Sequence, residues 1–446
     1  MSLLRLSVMA AALSCTVATP LYAQDTASEL AAMRAQLDAM NTRINQLEGE
    51  LQQANQQIES QATIVAALPA AAEPDTKISW KGAPVIEGKG GWSFKPRGRL
   101  QFDAGITNAP DSTGREDGFG NEVRRARLGV QGDIPGGFGY KFEVDIAGND
   151  VEVADGFLSY EDGGLTATVG HHNNFQGLEE LTSSLNTSMI ERAAFTDAFG
   201  FERRVGASLQ YGTGDVLVQG GVFTDNIGDL SNKNWSADGR VVAMPKMGGT
   251  QLHLGGSIHY TDLEDGSTVR YRQRPLVHFT SNRFIDTASL GASSEFGLGL
   301  EAAAISGPFH VTGEAFWQQL NRPGALSDPT FFGGYAEVGY FLTSGDKRGY
   351  KKGTFDRIKP KNAVGEGGIG AIQVNLRYDY LDLNDSGIVG GIQNGFGASL
   401  VWTPTDYTRF LLNYGKMVYD DAVYPTANGD RSYSVDAFAV RAQVDF

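Results

Sequence analysis

Residues 122–147 read EVRRARLGVQGDIPGGFGYKFEVDIA, and the alternation within this stretch decides the fold. Ala126, Leu128 and Val130 share one parity, and Arg125, Arg127, Gln131 and Asp133 share the other. After Pro135-Gly136-Gly137, the residues Tyr140, Phe142, Val144 and Ile146 alternate with Lys141, Glu143 and Asp145. A period of two places apolar side chains on one face of a strand and polar ones on the other. Two such strands joined by a Pro-Gly-Gly turn read as a hairpin. In a soluble sandwich the apolar face would be the inner one. In an outer-membrane barrel it meets lipid, and the polar face lines water.

Working outward, sixteen alternating segments can be placed between Phe94 and Phe446. They lie at roughly 94–104, 122–133, 138–147, 152–160, 165–171, 204–211, 216–223, 235–244, 251–260, 290–305, 309–319, 332–343, 369–380, 392–403, 408–417 and 434–446. Lengths of about 8 to 12 suit tilted membrane strands. Turn-like connections such as Glu161–Gly164, Gly212–Asp215 and Pro404–Tyr407 alternate with longer polar ones such as 105–121, 172–203, 224–234 and 418–433. Short turns on one side and long loops on the other are the outer-membrane pattern, and an even count leaves both chain ends on the periplasmic side. One connection breaks the rule: Ser344–Gly368, rich in Lys and Arg, is long yet falls on the short-turn side. The last strand places Phe438, Val440, Ala442, Val444 and Phe446 on one parity, so the chain stops on an aromatic residue facing lipid. The expected fold is all-β, a sixteen-stranded antiparallel transmembrane barrel.

Composition agrees. Apolar residues make up 41% of the 446, too few for a helical membrane protein, and 57 glycines fit many turns. Met1–Ala23 reads as a signal peptide, with Arg5 as the charged start, Leu6–Val17 as the apolar stretch and cleavage after Ala23. The only cysteine, Cys15, lies inside it, so the mature chain is expected to hold no disulfide, thiolate nucleophile or cysteine metal site. A net charge of −15 argues against a nucleic-acid partner.

Between signal and barrel, Leu30, Met33, Leu37, Met40, Ile44, Leu47, Leu51, Ala54 and Ile58 follow a 3-4 spacing over four heptads. A stripe this narrow is a coiled-coil seam, so 24–63 is expected to self-associate. Residues 64–93, rich in Ala and Pro at the start, read as a linker, and 94–446 as the barrel.

Several stretches resemble one family. They are FKPRGRLQFDAG at 94–105, RRARLGVQGDI at 124–134, YKFEVDIA at 140–147, LEELTSSLNTSMIER at 178–192, RPLVH at 274–278, YFLTSGDKRGY at 340–350 and the C-terminal VRAQVDF. Together they resemble the phosphate-selective porin O/P family across the whole barrel, in the right order. The resemblance implies a trimeric sixteen-stranded barrel whose third extracellular loop folds inward as a constriction, with lumenal arginines and lysines guiding anions. Many relatives have other or undetermined solutes.

The polar parities nominate the lumenal residues: Lys95, Arg97, Arg99, Gln101 and Asp103 from the first segment, Arg125 and Arg127 from the second. Arg204, Arg240, Arg377, Arg409 and Arg441 lie on polar parities too. Arg270, Arg272 and Arg274, at spacing two, would point the same way in an extended chain at a pitch of about 6 to 7 Å. The row resembles the arginine ladder of phosphate-specific members. Arginine suits oxyanions because its planar fork binds two oxygens and keeps its charge. Loop 172–203 offers Glu179, Glu180, Glu191, Arg192, Arg203 and Arg204. The candidate anion path is therefore Arg97, Arg99, Arg125, Arg127, Arg192, Arg204, Arg270, Arg272 and Arg274. The competing reading is bracing, with Asp103, Glu143, Asp145, Asp155, Glu314 and Asp379 available to pair with arginines.

No catalytic motif is present: there is no Gly-x-Ser-x-Gly elbow and no phosphate-binding loop. His171-His172 has no Cys and no third His nearby, so neither a metal nor another cofactor is expected. The expected function is a passive outer-membrane channel biased toward small anions, with phosphate as one candidate and outer-membrane lipid and a homotrimer as partners. The alternatives are a weakly selective diffusion porin, a barrel that tethers the envelope through its coiled coil, and a barrel enzyme.

Overall fold

The computed structural model describes residues 26–67, 76–148, 150–229 and 233–446. The expected signal peptide lies outside the described residues. The chain divides into two units, 1–74 and 75–446.

Among the described residues the first unit is a single helix, α1 (Thr26–Ala67). Good helix formers fill it, and local bonds such as Arg43 to Gln46 and Gln46 to Glu50 link successive turns. Leu37, Met40, Ile44, Leu47, Leu51 and Ile58 are all exposed along its seam.

The second unit begins where a linker was expected, yet Thr76–Lys81 and Ala83–Gly88 pair there as a hairpin. Gly82, at a positive φ of 80°, makes the turn, and a Cβ there would strike the Tyr407 ring at 2.5 Å. Sixteen barrel strands follow: β1 (Ser93–Asn108), β2 (Gly118–Ile134), β3 (Phe138–Asp145), β4 (Glu152–Asp162), β5 (Leu165–Asn173), β6 (Arg203–Thr213), β7 (Val216–Phe223) and β8 (Trp235–Ala243). The second half comprises β9 (Thr250–Asp262), β10 (Ser294–Ser306), β11 (Phe309–Asn321), β12 (Thr330–Phe341), β13 (Ala371–Asp385), β14 (Ile388–Thr405), β15 (Thr408–Asp420) and β16 (Tyr433–Asp445). Each pairs antiparallel with the next, and β16 pairs with β1 from Asp436↔Asn108 to Asp445↔Arg99, closing the barrel. Closure satisfies every strand edge, the condition for crossing hydrocarbon without helices.

The alternation has the expected sense. Leu128, Phe142, Leu158, Val169, Leu209 and Leu376 are exposed on the outside, whereas Gln101, Glu143, Arg377 and Arg441 are buried within. Aromatic pairs ring both rims: Phe138–Tyr160, Phe309–Tyr340 and Trp402–Phe410 near the short turns, Trp235–Tyr260 and Trp317–Phe332 near the long loops. Such girdles mark the two membrane interfaces. The outer end of the terminal Phe446 ring lies over Gly98, where a Cβ would strike it.

Residues 381–391, left between two of the expected segments, are strand apart from a Ser386-Gly387 turn. Leu381 and Leu383 point inward and are fully buried, so an apolar parity faces the lumen there. The same is true of Phe316, Leu320, Phe331, Met417 and Tyr419. The rule that the polar face lines the lumen fails along this arc because the lumen is filled. Loop 174–202 folds inward and packs Ile190, Ala194, Phe195 and Phe199 against these residues, and Tyr271, Leu276, Phe284 and Ile285 of loop 263–293 join them. From the short-turn side, the hairpin Gly349–Lys351/Thr354–Asp356 of the long basic connection also enters. Phe355 packs there on Leu178, Ala303 and Ile305. Open space is left beside β1 to β6.

Candidate anion path

The barrel wall holds the inward loop by its backbone. Glu314 on β11 accepts the N–H groups of Leu178 and Glu179 at 2.8 and 2.7 Å, and Asp379 on β13 accepts that of Ala194 at 3.0 Å. Arg409 on β15 donates to the carbonyls of Leu185 and Thr187 at 2.7 and 2.9 Å, and Arg441 on β16 to that of Ile190 at 2.7 Å. Buried polar groups must find partners, and here the wall and the loop satisfy each other. Arg377 is held by Glu337 at 2.8 Å and by Glu179 at 2.9 Å. Arg240 is held by Glu301 at 2.7 Å. These four wall arginines therefore brace; they do not line a path.

Two cavities lie beside the loop. One, of about 260 Å³, is on the long-loop side and is lined by Arg124, Glu191, Glu202 and Arg274 among others. The other, of about 380 Å³, is on the short-turn side and is lined by Arg97, Arg99, Lys141 and Thr166 among others. They share five residues: Arg125, Arg127, Glu180, Arg192 and Arg203. These five mark the constriction between them. The outer cavity balances six arginines against six carboxylates, whereas the inner one sets seven cations against two carboxylates.

The arginines differ in what already occupies them. Arg127 meets Asp145 at 2.7 Å and Glu143 at 3.5 Å. Glu143 also draws Arg99 to 3.7 Å and Arg97 to 3.8 Å. Asp155 takes Lys141 at 2.5 Å and Arg203 at 3.0 Å. Arg192 donates to the carbonyls of Glu179, Glu180 and Thr182 and pairs with the Glu180 carboxylate at 3.3 Å. Arg125 is different: it donates to Gln101 at 3.0 Å and, among the described residues, forms no ion pair.

On the loop, burial raises the Glu180 carboxyl above its ordinary range, and Arg192 offsets this only in part. Burial also opposes the charge of Glu191, but Arg124, Arg441 and Arg125 outweigh it and hold that carboxyl well below the usual range. Glu191 pairs with Arg124 at 2.9 Å and with Arg441 at 3.1 Å.

Arg97, Arg99, Arg125, Arg127, Arg192 and Arg274 of the expected path line one or both cavities. Arg204 lines neither; it pairs with Asp225 at 3.6 Å, and its neighbour Arg203 takes the place at the constriction. Arg270 and Arg272 also line neither. Tyr271 and Gln273 occupy the inward face of that segment, with Tyr271 packed on Phe199 and Phe331, so the two arginines point the other way. Arg270 pairs with Asp286 at 2.5 Å. A different outer group forms instead: burial and the nearby charges of Arg274 and Arg272 push Arg283 down to about 10, with Asp197 opposing. Arg124, which strand parity assigns to the lipid face, lines the outer cavity. A bulge between Gln101/Phe102 and Arg125/Val123 inserts it as an extra residue and turns it inward.

A family model for phosphate-selective porin O and P matches residues 94–446, the span of the barrel. The chain belongs to this family. This porin is 46% identical over 445 residues to an uncharacterized protein of Caulobacter vibrioides, covering 94% of this chain and 89% of that one. Among solved structures, the barrel is similar to an anion-selective porin from Comamonas acidovorans (TM-score 0.51, 13% identity, 80% of this chain and all of that one). It is likewise similar to a loop-deletion variant of OmpT from Vibrio cholerae (TM-score 0.50, 10% identity, 80% of this chain and all of that one). At such identities the likeness is one of fold. Family and fold together make the protein an outer-membrane porin, a channel and not an enzyme.

Proposed function

We propose that this porin passes small anions by passive diffusion, through a path that runs from Arg274 past Arg125, Arg127 and Arg192 to Arg99 and Arg97. The observation that carries the reading is Arg125. It stands at the constriction with no carboxylate in ion-pair contact among the described residues, the nearby carboxylates of Glu180 and Glu191 being engaged by Arg192, Arg124 and Arg441, above a cavity where cations outnumber carboxylates. A fixed positive charge in a narrow, partly dry passage concentrates anions and repels cations. Phosphate fits this chemistry, since a guanidinium fork takes two of its oxygens. Arg272 and Arg283 serve as an outer collecting group, with Arg270 and Arg204 held at the rim by their carboxylates. Three barrels associate, and the exposed seam of α1 zips into a coiled coil on the periplasmic side, after removal of the signal peptide.

A second reading has its own support. Arg97, Arg99, Arg127, Lys141 and Arg203 all reach carboxylates, which fits a weakly selective pore with a braced wall. Planar-bilayer recordings separate the two. Added phosphate that blocks chloride current at low concentration supports a phosphate path; no block even at high concentration removes phosphate as the preferred solute.

A further inference from the structure

The inner cavity has two chemically distinct walls. From β1 to β3 it is cationic, with Arg97, Arg99, Arg125, Arg127 and Lys141. From β4 to β6, apart from the paired Asp155 and Arg203, its lining is rings and uncharged polar groups: Phe157, Thr166, Thr168, His172, Ser208 and Gln210, with Phe175 added by the inward loop. Asp155, the one carboxylate of this arc, is already taken by Lys141 and Arg203. The rings are fixed by their neighbours. Phe157 meets His172 edge-on at 6.0 Å, His172 meets Phe223 at 5.3 Å, and Phe175 meets Phe223 at 6.3 Å.

A bare inorganic anion gains nothing from phenyl rings. It loses water beside them, and a passage built for it alone would line both walls with donors. A flat apolar body attached to an anionic group uses both walls at once. The volume, about 380 Å³, lies at the small end of sites that hold organic ligands. We propose that the inner cavity is a binding station for small aromatic carboxylates. The carboxylate sits on Arg125 and Arg99, and the ring lies against Phe157 and Phe175. Thr166, Thr168 and Gln210 are placed to accept ring hydroxyls. This inference rests on the anion-channel reading and adds a solute class to it.

The test compares benzoate with acetate as blockers of chloride current through the full-length porin in planar bilayers. The two share a carboxylate and differ in the ring. Ring–ring contact predicts half-block by benzoate at a concentration roughly three- to tenfold lower than by acetate. Phe157→Leu and Phe175→Leu are each expected to shrink that ratio toward one, with acetate block in the same membranes as the internal reference and open channels as proof of folding. An anion-preferring pore that benzoate and acetate block equally overturns the aromatic station and leaves the channel reading standing. So does a benzoate advantage that survives in both variants. A pore that prefers cations in a KCl gradient overturns both.

Discussion

Arg125 donates to the Oε1 of Gln101 across the first two strands of the barrel at 3.0 Å. The Gln101 amide is itself fixed, because its NH₂ donates to the Ser184 carbonyl at 3.1 Å and to Gln443 at 2.7 Å. A neutral acceptor thus orients the guanidinium without cancelling its charge. Arg125→Gln should lower the anion-to-cation permeability ratio by roughly threefold or more, since a full charge leaves a narrow passage of low effective dielectric. Arg125→Lys should keep most of it. Equal ratios in wild type and Arg125→Gln would remove this residue from the path.

The carboxylates that brace the neighbouring arginines should act in the opposite sense. Asp145→Asn frees Arg127, whose pairing with Asp145 at 2.7 Å is the closer of its two. Anion preference should rise in this variant, most clearly at low ionic strength where screening is weakest. A fall in anion preference would show that Asp145 holds Arg127 in its working position.

Acidification should sharpen anion preference before ordinary carboxylates titrate. Burial raises the Glu180 carboxyl, so this one negative charge at the constriction is lost at a higher pH than usual. The sign follows directly: below its raised range the constriction keeps its arginines and loses its opposing charge. Glu180→Gln should give the acid-like selectivity at neutral pH and remove the pH dependence. A reversal potential that is flat with pH in wild type would contradict this.

One buried ion pair crosses the seam of the barrel beside its backbone ladder. Arg441 and Asp103 meet through two bonds of 2.7 Å where the last strand joins the first, each almost fully buried. Asp103→Asn would leave the buried guanidinium with Glu191 and the Ile190 carbonyl alone, at a cost of up to about 3 to 5 kcal/mol. The expected readout is a lower urea midpoint for loss of β-structure in detergent. An unchanged midpoint would mean that Glu191 and the Ile190 carbonyl suffice for Arg441.

The strand count, the closure of the barrel and the lipid-facing residues were legible because they rest on parity alone. Leu128 and Phe142 face out, and Glu143 faces in, as their alternation requires. Other features were not legible, each for a physical reason. Arg124 was hidden by a bulge, which resets parity by one residue. The direction of Arg270 and Arg272 was hidden because their segment is packed by Tyr271 within the loop cluster and is not a free extended chain. Arg240, Arg377, Arg409 and Arg441 share the polar parity of Arg125, but which of them meets a carboxylate or a loop carbonyl depends on residues 40 to 338 positions away. The pairing of Glu314 with the loop backbone was beyond reach in the same way.

The reversal potential of the wild-type porin across a KCl gradient reads its ion preference in a single measurement. The account predicts the sign that chloride sets, weakened in Arg125→Gln. A potential of the sign that potassium sets would contradict it.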